Sequence, residues 1–141
     1  MKKMVCIGFL VLFLGCSGGV SEEKLPRLNG YWEIEQVVFP DGGTKEYTVN
    51  ATIDYIHLEG LKGWRKKVRP KFDGTYETSD DIEEFVISER DGNFFMQYTT
   101  ELSEWTEILI ALNADTFSVI NEDGKRYDYR RFEPFTLKPS D

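Results

Sequence analysis

Apolar and polar positions alternate with a period of two along most of this chain, and the alternation is interrupted at short, regular intervals. Phe85 and Ile87, Met96 and Tyr98, Phe117 and Val119, and Tyr127 and Tyr129 each stand two residues apart. A period of two puts every second side chain on one face of an extended backbone, so the pattern predicts half-buried β-strands. Four Asp-Gly pairs fall in the interruptions: Asp41 with Gly42, Asp73 with Gly74, Asp91 with Gly92 and Asp123 with Gly124. Asp-Gly between alternating segments is a strong hairpin signal, because tight turns need positive φ, which Gly adopts freely and Asp tolerates. Strands are predicted near residues 30–39, 44–48, 51–58, 63–69, 72–78, 82–90, 93–100, 104–112, 116–121 and 125–132. No stretch holds a helical period over three turns; the best helical candidate is residues 79–85, and it is short.

Side-chain faces select the turns. A two-residue turn at Asp91 and Gly92 sets Ile87 opposite Met96 and Phe85 opposite Tyr98, with all four on one face. The same turn at Asp123 and Gly124 would set Val119 against Asp128. A three-residue loop of Glu122, Asp123 and Gly124 instead pairs Val119 with Tyr127 and Phe117 with Tyr129, with Gly124 at the left-handed position such loops end on. Eight to ten consecutive strands joined in this way form an antiparallel up-and-down meander. A meander of this size removes its exposed edges by closing into a barrel. The predicted class is all-β.

Composition agrees with strands. Ten Phe, seven Tyr and three Trp stand against only three alanines, Ala51, Ala111 and Ala114, a balance that suits pleated surfaces rather than helices. The N-terminus differs in kind. Lys2 and Lys3 precede an apolar run over residues 4–15, too short for a membrane span of about 20 residues. Leu12, Phe13, Leu14, Gly15 and Cys16 resemble a bacterial lipobox. That resemblance implies cleavage of residues 1–15 as a signal peptide and diacylglycerol on the Cys16 thiol. The expected address is the cell envelope, with the protein lipid-anchored at the outer membrane on its periplasmic face or at the cell surface. An ordinary secretory signal cut near Gly18 or Gly19 is the alternative. Residues 16–27 are then a lipidated flexible tether, 28–133 the barrel and 134–141 a C-terminal tail.

Loss of Lys2 and Lys3 reduces the 17 basic residues to 15 against 25 acidic ones, a net charge of −10. This argues against a nucleic-acid partner, which needs a basic face. Cys6 leaves with the signal and Cys16 is the acyl acceptor, so no thiol remains for a disulfide, a zinc site or a nucleophile.

Leu28, Asn29, Gly30, Tyr31 and Trp32 open the first strand, and Tyr129, Arg130, Arg131 and Phe132 end the last. The Gly-x-Trp before a meander of this length, with an arginine in the terminal strand, resembles the lipocalin-like (calycin) group over residues 28–133. The resemblance implies a ligand-binding barrel, without the group's Thr-Asp-Tyr motif or C-terminal helix. In such a barrel the end of the last strand meets the start of the first. Arg131 would then reach the face of Trp32, a cation–π contact worth about 0.5–2 kcal/mol. Gly30, Trp32 and Arg131 are accordingly the barrel-closing residues, structural rather than catalytic.

The remaining candidate chemistry is sparse. His57 is the single histidine, and no serine elbow or second metal-ligating group accompanies it. The acidic run over 77–84 lacks calcium-loop spacing and reads as a solvated loop. The basic run over 62–71 places Arg65, Lys67 and Arg69 on one strand face. It reads either as a solvated strand or as a patch for anionic lipid headgroups. Inward positions are Trp32, Ile34, Tyr76, Phe85, Ile87, Met96, Tyr98, Leu109, Phe117, Val119, Tyr127 and Tyr129. Of these, Phe85, Ile87, Met96, Tyr98, Phe117, Tyr127 and Tyr129 are the ligand-lining candidates. So many large side chains predict a filled or narrow interior.

The residues therefore point to a membrane-anchored barrel that binds a small hydrophobic ligand or a partner protein, with no cofactor or metal implied. A solidly packed interior would favour an assembly accessory, and a cavity of a few hundred Å³ a ligand carrier. Perturbed carboxylates or a Tyr/Arg cluster converging in an open pocket would favour an enzyme, the least expected reading.

Overall fold

A computed structural model of the chain describes residues 19–134. The expected signal peptide over 1–15, the expected acyl acceptor Cys16 and residues 135–141 of the expected tail lie outside the described residues. A 3₁₀ helix, η1 (Glu22–Leu28), precedes ten strands. These are β1 (Gly30–Val38), β2 (Thr44–Glu46), β3 (Ile53–Glu59), β4 (Lys62–Pro70), β5 (Tyr76–Thr78), β6 (Glu83–Arg90), β7 (Asn93–Thr99), β8 (Glu104–Leu112), β9 (Thr116–Asn121) and β10 (Arg126–Arg131).

Eight of the ten close into a barrel. The order β10-β9-β8-β7-β6-β4-β3-β1 is antiparallel throughout, and β10 returns to pair with β1. Closure sets Trp32 opposite Arg131 and Ile34 opposite Tyr129, with a bulge between Ile34 and Gln36. The two short strands are appendages: β2 pairs with β1, and β5 folds back on β4.

Both predicted hairpin registers are present. Ile87 faces Met96 and Phe85 faces Tyr98 across a turn in which Asp91 has φ 53° and Gly92 φ 79°. Val119 faces Tyr127 and Phe117 faces Tyr129 across the loop ending in Gly124, φ 80°. Asp73 shapes its own turn by accepting from the Thr75 backbone N–H at 2.9 Å and the Thr75 hydroxyl at 2.6 Å.

Three expectations change. Residues 79–85 are no helix; they run from the end of β5 through a loop into β6. The stretch 16–27 is not wholly a tether, because η1 plugs one end of the barrel with Leu25 and Leu28 buried in the main core. Leucines three residues apart share a face in a 3₁₀ helix, so both enter the core together. Tyr76 is not inward. It lies outside the barrel, stacked on Tyr31 at 4.3 Å beside Tyr55, Ile53, Val68 and Phe132.

The two ends of the barrel differ. At the closed end lie η1, the β3–β4, β6–β7 and β8–β9 turns, and a core of Trp32, Ile56, Phe85, Ile87, Phe94, Met96, Leu109, Leu112 and Phe117. The β7–β8 and β9–β10 turns surround the other end, where inward positions become polar.

Candidate functional site

Gly30, Trp32 and Arg131 meet at the closed end. Trp32 is fully buried, donates from Nε1 to the Leu28 carbonyl at 2.8 Å and packs edge-on against Phe117. The Arg131 guanidinium lies 3.8 Å from the Trp32 ring centroid. It donates to the carbonyls of Asn29 (2.7 Å), Arg27 (2.9 Å) and Ala114 (2.9 Å). One side chain thus ties η1, the start of β1 and the β8–β9 turn together. Gly30 is glycine for two reasons: its φ is +121°, and a Cβ would stand 2.7 Å from Arg131 Nη1. Asn29 completes the seal, accepting from the Leu58 backbone N–H at 2.6 Å and donating to the Leu58 carbonyl at 3.3 Å.

Phe85, Ile87, Met96, Tyr98, Phe117 and Tyr129 are buried inside the barrel, and Tyr127 is half-buried against them. Most of these fill the closed half. The open half holds a cavity of about 380 Å³. Arg65, Glu107 and Tyr129 form its deep part and Trp105 and Tyr127 its aromatic walls, while Thr106, Asn121, Glu122 and Asp123 stand around its mouth.

Arg65 is a correction to the surface-patch expectation. It points into the barrel, where its side chain is only 12% exposed and its Nη2 faces Glu83 at 3.4 Å. The guanidinium lies 4.8 Å from the Tyr98 ring. Lys67 lies near the rim and meets the buried Asp54 at 2.6 Å, an ion pair without good hydrogen-bond angles. Arg69 alone of the three is a plain exposed cation, opposite Glu77 on β5. No continuous basic face forms from these residues. The physical reason is that β4 turns its apolar alternation outward: Trp64 packs against Tyr55 and His57 outside, while Gly63 faces inward beneath the Phe85 ring.

The deep part of the cavity contains polar atoms without partners. Glu107 is 8% exposed and its Oε2 meets no donor, and Arg65 Nε meets no acceptor. Burial pushes the Glu107 carboxyl above the ordinary range, against the pull of Arg65 and of the Trp105 side chain. Burial disfavours the Arg65 charge, but Tyr98, Tyr129, Asp54 and Glu107 raise its pKa, so it remains a cation. Burial also pushes the Tyr98 and Tyr129 phenols up, leaving both neutral.

Glu107, Asp54 and Trp105 were not singled out in the sequence. Their signal is visible in the alternation: Trp105, Glu107 and Leu109 share the inward face of β8, as Asp54, Ile56 and Leu58 share that of β3. His57 sits outside, 3.3 Å from Glu59 and stacked on Trp64. Among the described residues no three His, Cys, Asp or Glu side chains gather where they could hold a metal ion.

The barrel is closed, antiparallel, up-and-down and eight-stranded, plugged at one end and open at the other. The fold is lipocalin-like. Neither protein-family models nor curated proteins match the chain. Among solved structures, a lipocalin-like protein from Bacteroides uniformis is similar at 14% identity and a TM-score of 0.48, over 75% of this chain and 99% of that one. An eight-strand lipocalin-like barrel has an interior just large enough for its own side chains or one small guest. Here the closed half holds side chains and the open half holds the cavity.

Proposed function

We propose that this chain is a lipid-anchored envelope protein whose barrel binds a small molecule in its open mouth. The observation that carries the binding reading is the unpaired Arg65 Nε and Glu107 Oε2 beside a cavity of about 380 Å³. A buried polar atom without a partner costs about 1–3 kcal/mol, and such costs persist where a ligand supplies the partner. The guest differs from a purely hydrophobic one, since aromatic walls stand over a charged floor.

The anchor supports the same reading. Three residues, Ser17, Gly18 and Gly19, separate Cys16 from Val20, which already packs on the core beside η1. A chain reaches at most about 3.6 Å per residue, so an acylated Cys16 would hold the closed end near the membrane. The mouth then opens to the aqueous side. Two acyl chains are sufficient for stable attachment. Wild-type protein should incorporate radiolabelled palmitate and sediment with membranes, and Cys16→Ser should do neither.

A second reading has one specific observation in its favour. A carboxyl whose pKa is raised by burial, near Arg65 and three tyrosines, resembles a general acid. Binding is preferred because Tyr98 and Tyr129 are held neutral and Arg65 stays a cation, so none of the three supplies a base beside Glu107. The test is native mass spectrometry of the protein purified from its own host. A retained small molecule that is lost in Glu107→Gln supports the carrier. Protein free of any bound molecule, with a solvent-filled mouth in its crystal structure, would remove it.

A further inference from the structure

Charge, desolvation and wall chemistry at the mouth favour one class of guest. The cavity lining holds one cation, Arg65, and three carboxyls, Glu107, Glu122 and Asp123. Arg65 pairs with Glu83 and also pulls on Glu107, and Lys67 pairs with Asp54. The charge left over is negative, and it belongs to the lining itself.

Desolvation points the same way. Glu107 is the deepest of the three lining carboxyls, and its Oε2 is shielded from water without any donor. A buried carboxylate is costly unless a cation pairs with it. A carboxylate guest would pass Glu122 and Asp123 only to lie against Glu107. An apolar guest would leave Glu107 Oε2 and Arg65 Nε as they are. An ammonium group satisfies Glu107, and an electron-pair donor elsewhere on the same guest satisfies Arg65.

The walls complete the set. Trp105, stacked at 5.0 Å on Tyr98, and Tyr127 line the cavity with Tyr129 below. Aromatic faces attract organic cations, and the attraction grows on desolvation. At about 30 Å³ per water-sized unit, the space suits a guest of roughly ten to twelve non-hydrogen atoms.

We propose that the mouth binds a small organic ammonium ion, its charge on Glu107 Oε2 between aromatic walls, with a neutral oxygen of the same molecule accepting from Arg65 Nε. This rests on the reading of the mouth as a small-molecule site. Arg65 and Glu107 then act as paired readers of one guest, and the acidic rim attracts it from solution.

The test is calorimetric titration of the full-length protein with three probes of matched size: tyramine, its neutral analogue 4-(2-hydroxyethyl)phenol, and the anion 4-hydroxyphenylacetate. Tyramine is expected to bind at least tenfold more tightly than either of the others. Glu107→Gln should lose at least tenfold for tyramine while keeping a native circular dichroism spectrum and a cooperative melt. Equal or tighter binding of the neutral or anionic probe overturns the ammonium assignment and leaves the mouth a binding site. Binding of none of the three also overturns it, and the host-retained molecule then judges the mouth separately.

Discussion

Replacing Arg131 tests how the barrel is shut. In Arg131→Ala three carbonyls, on Arg27, Asn29 and Ala114, lose a charged donor, and Trp32 loses the cation on its face. Charged hydrogen bonds contribute about 1.5–3 kcal/mol when shielded. These sit on the exposed outside of the closed end, where water replaces the donor, so about 0.5–1 kcal/mol each is the fitting figure. The cation–π contact adds about 0.5–2 kcal/mol. The loss comes to about 2–5 kcal/mol, or roughly 10–15 °C in Tm for a domain of this size. Arg131→Lys keeps the charge but lacks the planar fork that reaches three acceptors, so it should recover less than half. The assay is differential scanning calorimetry of both variants, with a double-mutant cycle against Trp32→Phe to isolate the ring contact. A shift under about 2 °C for Arg131→Ala, or a lysine variant as stable as wild type, would refute the reasoning.

Other substitutions probe neighbouring parts of the account. Gly30→Ala forces a Cβ to 2.7 Å from Arg131 Nη1 at positive φ; it should cost about 1–3 kcal/mol, and less once Arg131 is already alanine, as calorimetry of the double variant would show. Gly63→Ala sets a Cβ 2.5 Å from the His57 carbonyl and 2.6 Å from the Phe85 ring, and overpacking should lower stability by about 1–3 kcal/mol in chemical denaturation. Leu28→Ala empties a fully buried position under η1 and should cost about 2–5 kcal/mol; an unchanged midpoint would mean the plug is dispensable. Glu107→Gln should raise stability at pH 8 by about 1–3 kcal/mol. The folded-state pKa of Glu107 lies above the unfolded value of 4.5, so the contribution of this group to wild-type stability is greatest below that pH and is lost as pH rises through the folded-state pKa. Thermal melts across pH 4 to 8 should therefore converge at the acid end, and a glutamine variant less stable at pH 8 would contradict this.

The turns were legible because alternation and turn length constrain each other. Pairing Val119 with Tyr127 left Gly124 at the one loop position that requires positive φ. The faces of β4 were not legible in the same way. Alternation says that Trp64, Lys66 and Val68 share a side, but not that this side is outside. The outer face here is covered by β5, Phe132 and a run of rings in contact from Tyr76 through Tyr31 and Tyr55 to Trp64. With an apolar cluster on both sides of the sheet, hydrophobicity stops marking the interior, and Arg65 was placed on the wrong side. The plug was hidden for another reason: Leu25 and Leu28 lie among Glu22, Glu23, Lys24 and Arg27, and seven residues of 3₁₀ helix show too little periodicity to register. The cavity could not be read at all, since its volume depends on how far Phe85, Tyr98 and Trp32 fill the closed half.

The buried Glu107 carboxyl, whose Oε2 has no donor, is the centre of the account, and carbon-detected NMR titration measures it directly. The account predicts a pKa above that of an ordinary glutamate in the free protein, falling when tyramine is added. An ordinary pKa that tyramine leaves unchanged would contradict it.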